Sequence, residues 1–238
     1  MHEAETAPGR AAILARGLYL LTPDDTDTQR LLARVAAVIG HAALLQYRNK
    51  AAGPALAREQ VEALLPLCRE RGVPLLVNDA WRLAQACSVD GAHLGEDDGD
   101  LRAAREALGE DAIIGASCYD SLARARAAAA AGADYLAFGA LFPSPTKPAA
   151  RRATPALLRE ARALGLPVVA IGGITPENAR AAVEAGADLL AVISGVFDAP
   201  DPAAAALAYR RAFQPARDQC LPPIDRHTDL QESSCDEA

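Results

Sequence analysis

The sequence predicts a single (β/α)₈ TIM barrel, an α/β fold of eight parallel strands ringed by helices. Three observations lead there. Short β-rich runs alternate with Ala/Leu/Arg/Glu-rich helical stretches, which implies parallel βαβ units. The alternation repeats eight times in 238 residues, and a barrel of this kind typically needs about 250. A doubly wound open sheet is the alternative, but the turn after the first strand reads Leu21-Thr22-Pro23-Asp24-Asp25 and has no G-x-G-x-x-G glycines.

In order, a strand at 18–21 leads into a helix over 27–39, and a strand at 43–47 into a helix over 54–71. Pro54 opens that second helix, where a missing N–H costs little, and Gly72 stands where it should stop. The strand at 74–77 precedes a helix over 80–88; that at 91–94 precedes 99–108, closed by Gly109. The strand at 113–116 precedes a helix over 119–131, closed by Gly132. After the strand at 135–138 comes the one long loop, 140–153, rich in Pro, Ala and Arg, and loops that long are often functional lids. The last pairs are a helix over 154–164 with Pro155 and Gly165, a strand at 168–171, a helix over 176–185 with Pro176 and Gly186, a strand at 189–193, and a helix over 201–213 with Pro202. The barrel is therefore expected over 16–214. Residues 1–15 form an N-terminal extension, and 215–238, polar and acidic with three prolines and no apolar period, are expected to be a disordered tail.

Composition narrows the function. No run of about 18 apolar residues exists to span a membrane, and Met1 to Arg16 lacks the basic start and apolar stretch of a signal peptide. Five scattered cysteines, never in a C-x-x-C pair, suit free thiols in a cytoplasmic protein rather than a metal cage. A net charge of −7 and 4 % aromatics argue against nucleic acid as a partner. Self-association into a homo-oligomer is left open.

Catalysis in such barrels sits at the C-terminal strand ends, and chemically useful residues gather at seven of the eight. Strand two ends Gln46-Tyr47-Arg48-Asn49-Lys50, putting Gln46, Arg48 and Lys50 on one face if it stays extended. They are either a solvated strand end or an anion site. Strand three ends Asn78-Asp79, and strand four ends in the run His93-Leu94-Gly95-Glu96-Asp97-Asp98. Asp79 and Asp98 are either helix caps or, sharing a hard cation between neighbouring strand ends, a magnesium site that also takes substrate phosphate. His93 is either a base or a hydrogen-bonded wall residue. Ser117 ends strand five without a His/Asp partner set, so it reads as a hydrogen-bond donor. The loop after strand six carries Ser144-Pro145-Thr146-Lys147 with Arg151 and Arg152, suited to closing over phosphate or to mere solubility. Strands seven and eight end Gly172-Gly173 and Ile193-Ser194, where this fold places its recurrent phosphate site. The mouth thus carries two expected anion sites, one for a monophosphate and one, with cations and a metal, for a diphosphate.

These residues form an ordered set of motifs: Leu18-Tyr19 with Thr22-Pro23, Gln46 to Lys50, Asn78-Asp79, Asp90 to Asp98, Gly115-Ala116-Ser117, Ser144 to Lys147, Ala170 to Ile174, and Ala191 to Ser194. The set resembles the thiamine phosphate synthase (thiamine-phosphate pyrophosphorylase) family across about 18–213. The resemblance implies a transferase that joins an aminopyrimidine-methyl diphosphate to a thiazole phosphate, carboxylated or not, and expels pyrophosphate. It implies pyrimidine diphosphate contacts at Gln46, Arg48, Lys50, Asn78, Ser117 and Lys147, with Arg48, Ser117 and Lys147 at the chemistry. It implies Mg²⁺ on Asp79 and Asp98, and thiazole phosphate contacts at Ser144, Pro145, Thr146, Gly173, Ile193 and Ser194. Asn49, Glu96, Tyr119 and Ser144 depart from the family's usual Asp, Gln, His and Thr without removing a metal ligand or cation. The competing readings are a thiazole tautomerase, which needs no diphosphate-binding metal, and a noncatalytic phosphate-binding barrel.

Overall fold

In the computed structural model, which describes residues 14–143 and 151–214, eight parallel strands close into a barrel in sequence order. They are β1 (Gly17–Leu21), β2 (Ala42–Tyr47), β3 (Leu75–Asn78), β4 (Gly91–Leu94), β5 (Ile113–Tyr119), β6 (Tyr135–Phe138), β7 (Val168–Ile171) and β8 (Leu189–Val192). β8 returns to β1 in register from Gly17↔Leu189 to Leu20↔Val192, which leaves no open edge. The helices are α1 (Thr28–Ala36), α2 (Pro54–Arg71), α3 (Trp81–Cys87), α4 (Leu101–Leu108), α5 (Leu122–Ala130), α6 (Pro155–Ala161), α7 (Pro176–Glu184), α8 (Ser194–Phe197) and α9 (Pro202–Arg211).

Because successive strand residues face opposite sides, each strand feeds two cores. Tyr19, Leu44, Leu76, Ile113, Tyr135, Val169 and Leu189 fill the barrel interior, where Leu14 joins them from the chain's N-terminal side. Their neighbours Leu18, Leu45, Leu75, Ile114, Leu136, Val168 and Leu190 face outward and pack under the helices. The helix boundaries follow local chemistry. Side chains of Asp27, Asp100, Ser121, Thr154 and Asp201 accept from first-turn N–H groups, and Gly72 ends α2 with a left-handed φ of 63°.

Several boundaries differ from expectation by a few residues, among them those of β5, α1 and β8. β5 continues to Tyr119, and α5 waits until Leu122, because Tyr119 takes φ 54°, which no helix accommodates, and Ser121 then caps. α1 ends at Ala36, short of the expected end at 39, and a short 3₁₀ turn, Ile39–His41, follows it. β8 stops at Val192, since Ile193 leaves the extended region at φ −119°, ψ −87°, and Ser194 opens α8. Most of the N-terminal extension, the 215–238 tail and the centre of the long loop lie outside the described residues. No described helix is long and apolar enough to cross a membrane. Cys68, Cys87 and Cys118 are buried free thiols.

Candidate active site

The strands deliver their polar residues to one rim. Gln46, one step beyond Leu44 on the inward face of β2, is only 1 % exposed, and its Nε2 donates to the Tyr19 hydroxyl at 2.5 Å. Past the end of β2 the chain is tied to the β1 loop. The Thr22 hydroxyl accepts from the Arg48 N–H and donates to the Arg48 carbonyl, both at 2.8 Å, and Asp24 accepts from the Lys50 N–H at 2.8 Å. The same Asp24 oxygen lies 3.4 Å from the Arg48 guanidinium. Asn49 turns elsewhere: its Nδ2 donates to the Asp25 carbonyl and to Gln60, so it serves the scaffold.

Arg48, Lys50, Asn78 and Asp79 line one cavity of about 330 Å³. Asp79 is not the cap of α3, whose N-cap is Ala80. It sits instead at φ 63°, an uncommon conformation outside glycine that is held here by the surrounding chain. Asp98 is not the cap of α4 either, a role taken by Asp100; its Oδ2 accepts from the Gly95 N–H at 2.7 Å. The two carboxyls face each other. Burial, together with hydrogen bonding and charge repulsion from Asp98, pushes the Asp79 carboxyl up to about 6, and Lys50 and Asn78 only partly offset this. Two crowded carboxylates beside a cationic wall are a donor set that a hard divalent cation relieves, and magnesium typically takes one or two carboxylates plus substrate phosphates. No cluster of three or more His, Cys, Asp or Glu occurs among the described residues, so these two would need substrate and water oxygens to complete a shell.

A second cavity, about 520 Å³, opens between the ends of β4 to β7 and is lined by Asp97, Ser117, Tyr119, Gly139, Arg151 and Gly172 among others. Tyr119 has the guanidinium groups of Arg124 and Arg151 against its ring, 5.5 and 5.1 Å from the centroid, and Glu96 pairs with both arginines. Arg151 also closes the base of the long loop: Ala140 N–H donates to its carbonyl at 2.7 Å, and Ala153 N–H donates to Ala140 at 3.1 Å. Two of the residues that depart from the family's usual pattern, Glu96 and Tyr119, thus belong to one bonded group. Ser144, Pro145, Thr146 and Lys147 lie outside the described residues.

Gly173, Ile193 and Ser194 stand at the ends of β7 and β8. Gly173 has φ 67°, and a Cβ there would meet the carbonyls of Phe142 and Pro143 at 2.5 and 2.6 Å, so the glycine lets the β6 and β7 loops touch. Ser194 opens α8, and the first turn of that helix has no side-chain cap. His93 is a wall residue of the interior. Its ring nitrogens lie 2.8 Å from the Tyr135 hydroxyl and 2.8 Å from the Ser117 hydroxyl, and burial pushes its pKa down to about 4. Tyr19 and Tyr135 complete this buried group; in the sequence Tyr19 stands out only as part of the Leu18-Tyr19 motif, with no site role, and Tyr135 not at all. Their signal was there in the inward phase of β1 and β6, where most positions are aliphatic.

Three comparisons with known proteins bear on this geometry. The family described as "Thiamine monophosphate synthase" matches residues 18–196. Thiamine-phosphate synthase from Xanthomonas campestris pv. campestris (strain 8004) is 60 % identical over 199 residues, covering 84 % of this chain and 96 % of that protein. The same-named protein of Azoarcus sp. (strain BH72) is 59 % identical over 200 residues, 83 % of this chain and 97 % of the relative. Among solved structures, thiamine phosphate pyrophosphorylase from Pyrococcus furiosus superposes with a TM-score of 0.74 at 34 % identity, covering 84 % of this chain and 96 % of its own. Orotidine 5'-phosphate decarboxylase from Pyrococcus horikoshii, at TM-score 0.60 and 18 % identity, shares the fold alone.

Proposed function

The chain belongs to the thiamine monophosphate synthase family, and we propose that its barrel mouth is where a pyrimidine diphosphate meets a thiazole phosphate. The protein is a transferase of thiamine biosynthesis: it condenses the pyrimidine and thiazole halves into thiamine phosphate and releases pyrophosphate. The observation that carries the site assignment is the facing pair Asp79 and Asp98 beside Arg48 and Lys50. A tautomerase has no use for such a pair.

In this reading the aminopyrimidine-methyl group sits at Gln46 and its diphosphate lies against Arg48, Lys50 and Asn78, with Ser117 and Lys147 joining them. Asp79 and Asp98 would hold Mg²⁺, which when bound neutralises diphosphate charge. Arg48 is already held at its post by Asp24 and Thr22, so little ordering is left for the moment of binding. The thiazole phosphate is assigned to Gly173, Ile193 and Ser194 with Ser144, Pro145 and Thr146.

The carbon–oxygen bond to the diphosphate breaks, the electron pair leaves with pyrophosphate, and the thiazole nitrogen captures the benzylic-type cation. No group has to remove a proton to start this, which suits a mouth whose buried histidine stays neutral. Each cation about 4 Å from a departing charge is worth roughly 4 kcal/mol gross at an effective dielectric near 20. Only the part that grows as the bond breaks accelerates the reaction. Placement in the cytoplasm belongs to the same reading. The test is direct: purified protein, both phosphorylated halves and Mg²⁺ should yield thiamine phosphate and pyrophosphate in equal amounts, and no product under these conditions would refute it.

A further inference from the structure

Five side chains form an unbroken hydrogen-bond chain through the barrel interior. Gln46 Nε2 lies 2.5 Å from the Tyr19 hydroxyl, Tyr19 2.7 Å from the Tyr135 hydroxyl, Tyr135 2.8 Å from His93 Nδ1, and His93 Nε2 2.8 Å from Ser117 Oγ. The sequence makes room for it. Gly115 lies beneath Tyr135, and a Cβ there would come within 1.9 Å of the ring's Cζ, so only glycine lets the tyrosine lie across the barrel. The rings of His93 and Tyr135 stack at 5.6 Å, which fixes their mutual orientation.

Such a chain has a sense, because each hydroxyl has one proton and a neutral imidazole has one N–H. Gln46 Nε2 can only donate. Tyr19 accepts from it and spends its own proton on Tyr135, which spends its proton on His93 Nδ1. His93 then carries its proton on Nε2 and donates to Ser117, whose hydroxyl proton is left for the mouth. Rotating the Gln46 amide half a turn would reverse every bond, and Ser117 would spend its proton on His93 and face an anion with lone pairs alone. The other Gln46 atom, Oε1, is buried and has no partner among the described residues, so it is left to accept from an N–H of a bound ligand.

We infer that Tyr19, Tyr135 and His93 are positioning residues that transmit the orientation of the Gln46 amide to Ser117 and hold the serine hydroxyl as a donor. This rests on the reading of the mouth as the coupling site. A ligand amino group at Gln46 Oε1 locks the amide with Nε2 toward Tyr19. Occupancy of the heterocycle end thereby sets the hydrogen-bonding state at the diphosphate end. No proton leaves the chain; only the direction of donation is fixed.

The test reads the His93 tautomer by ¹H–¹⁵N correlation in ¹⁵N-histidine-labelled full-length protein, with the His93→Gln spectrum identifying the signal. Wild type should carry its proton on Nε2, with Nδ1 bare. Tyr135→Phe removes the donor to Nδ1: the single tautomer should be lost, and turnover should fall roughly three- to tenfold, the worth of one oriented hydrogen bond, with either Michaelis constant within about twofold. Tyr19→Phe cuts Tyr135 off from the Gln46 amide, so the single tautomer should be lost there too and turnover should fall by a similar factor. Nδ1 protonation in wild type overturns the inference, as does wild-type turnover in Tyr135→Phe. Should Tyr135→Phe fail to fold, an unchanged single Nε2 tautomer with wild-type turnover in Tyr19→Phe overturns it equally. The tautomer measurement needs no substrate. A wild-type protein that makes no thiamine phosphate therefore fails the proposed function, and leaves the direction of the chain to be decided by the spectrum.

Discussion

Two aspartates separate structure from chemistry at the residue scale. Either could have been an ordinary helix cap, yet Ala80 and Asp100 occupy those positions, and Asp79 and Asp98 are left facing one another. Holding two carboxyls together with only Lys50 and Asn78 to offset them is unfavourable without a cation. Asp98→Asn should therefore cut turnover at limiting magnesium and recover part of it at high magnesium, measured as initial rates across a magnesium titration. Full wild-type activity under thorough chelation would contradict the assignment. The pair was legible from the sequence as a choice between cap and ligand. The choice itself was not, because capping depends on where the backbone enters its first helical turn, and that is decided by a left-handed residue at 79.

Elements are joined at the two ends of the barrel by different means. At the catalytic end the β6 and β7 loops touch through Gly173, whose missing Cβ makes space for two carbonyls. Gly173→Ala should raise the Michaelis constant for the thiazole phosphate more than that for the pyrimidine diphosphate. It should also lower stability by about 1 kcal/mol or more, since alanine is strained at φ 67° as well as crowded. The comparison is steady-state kinetics with each substrate varied, alongside urea unfolding. At the opposite end, buried Arg105 donates to the carbonyls of Gly109, Ala112 and Gly132 and to Asp134 at 2.5 Å, while Asp134 also accepts from Ile114 N–H. This joins α4, β5 and the turn before β6. Asp134→Ala leaves the guanidinium buried without its counter-charge and should cost about 3–5 kcal/mol by chemical unfolding, with substrate binding to the folded fraction unchanged.

For the whole molecule, the polar chain from Gln46 to Ser117 runs through an otherwise apolar interior, and its histidine makes stability depend on pH. The unfolded imidazole binds a proton below about 6.5, the buried one only near 4, so the unfolded state takes up more protons between those values. The contribution of His93 to stability should be lost as pH drops from 6.5 toward 4, by on the order of 3 kcal/mol, while Asp79, whose carboxyl is raised, contributes in the opposite sense. His93→Gln should remove this part of the slope, read as the difference between the two proteins' urea midpoints across that range. The sequence by itself determined the barrel, since short β-rich runs alternating eight times with helical stretches in one chain of this length admit few other closures. It also told at which strand ends polar residues collect. Tertiary structure alone decided what those residues touch. The Tyr19–Tyr135–His93 contacts link residues 116 and 42 positions apart, and the Glu96–Arg124–Arg151 group links the loop after β4, helix α5 and the loop after β6. Local propensity carries no information on such meetings, because they are made by closing the barrel and not by any segment of the chain.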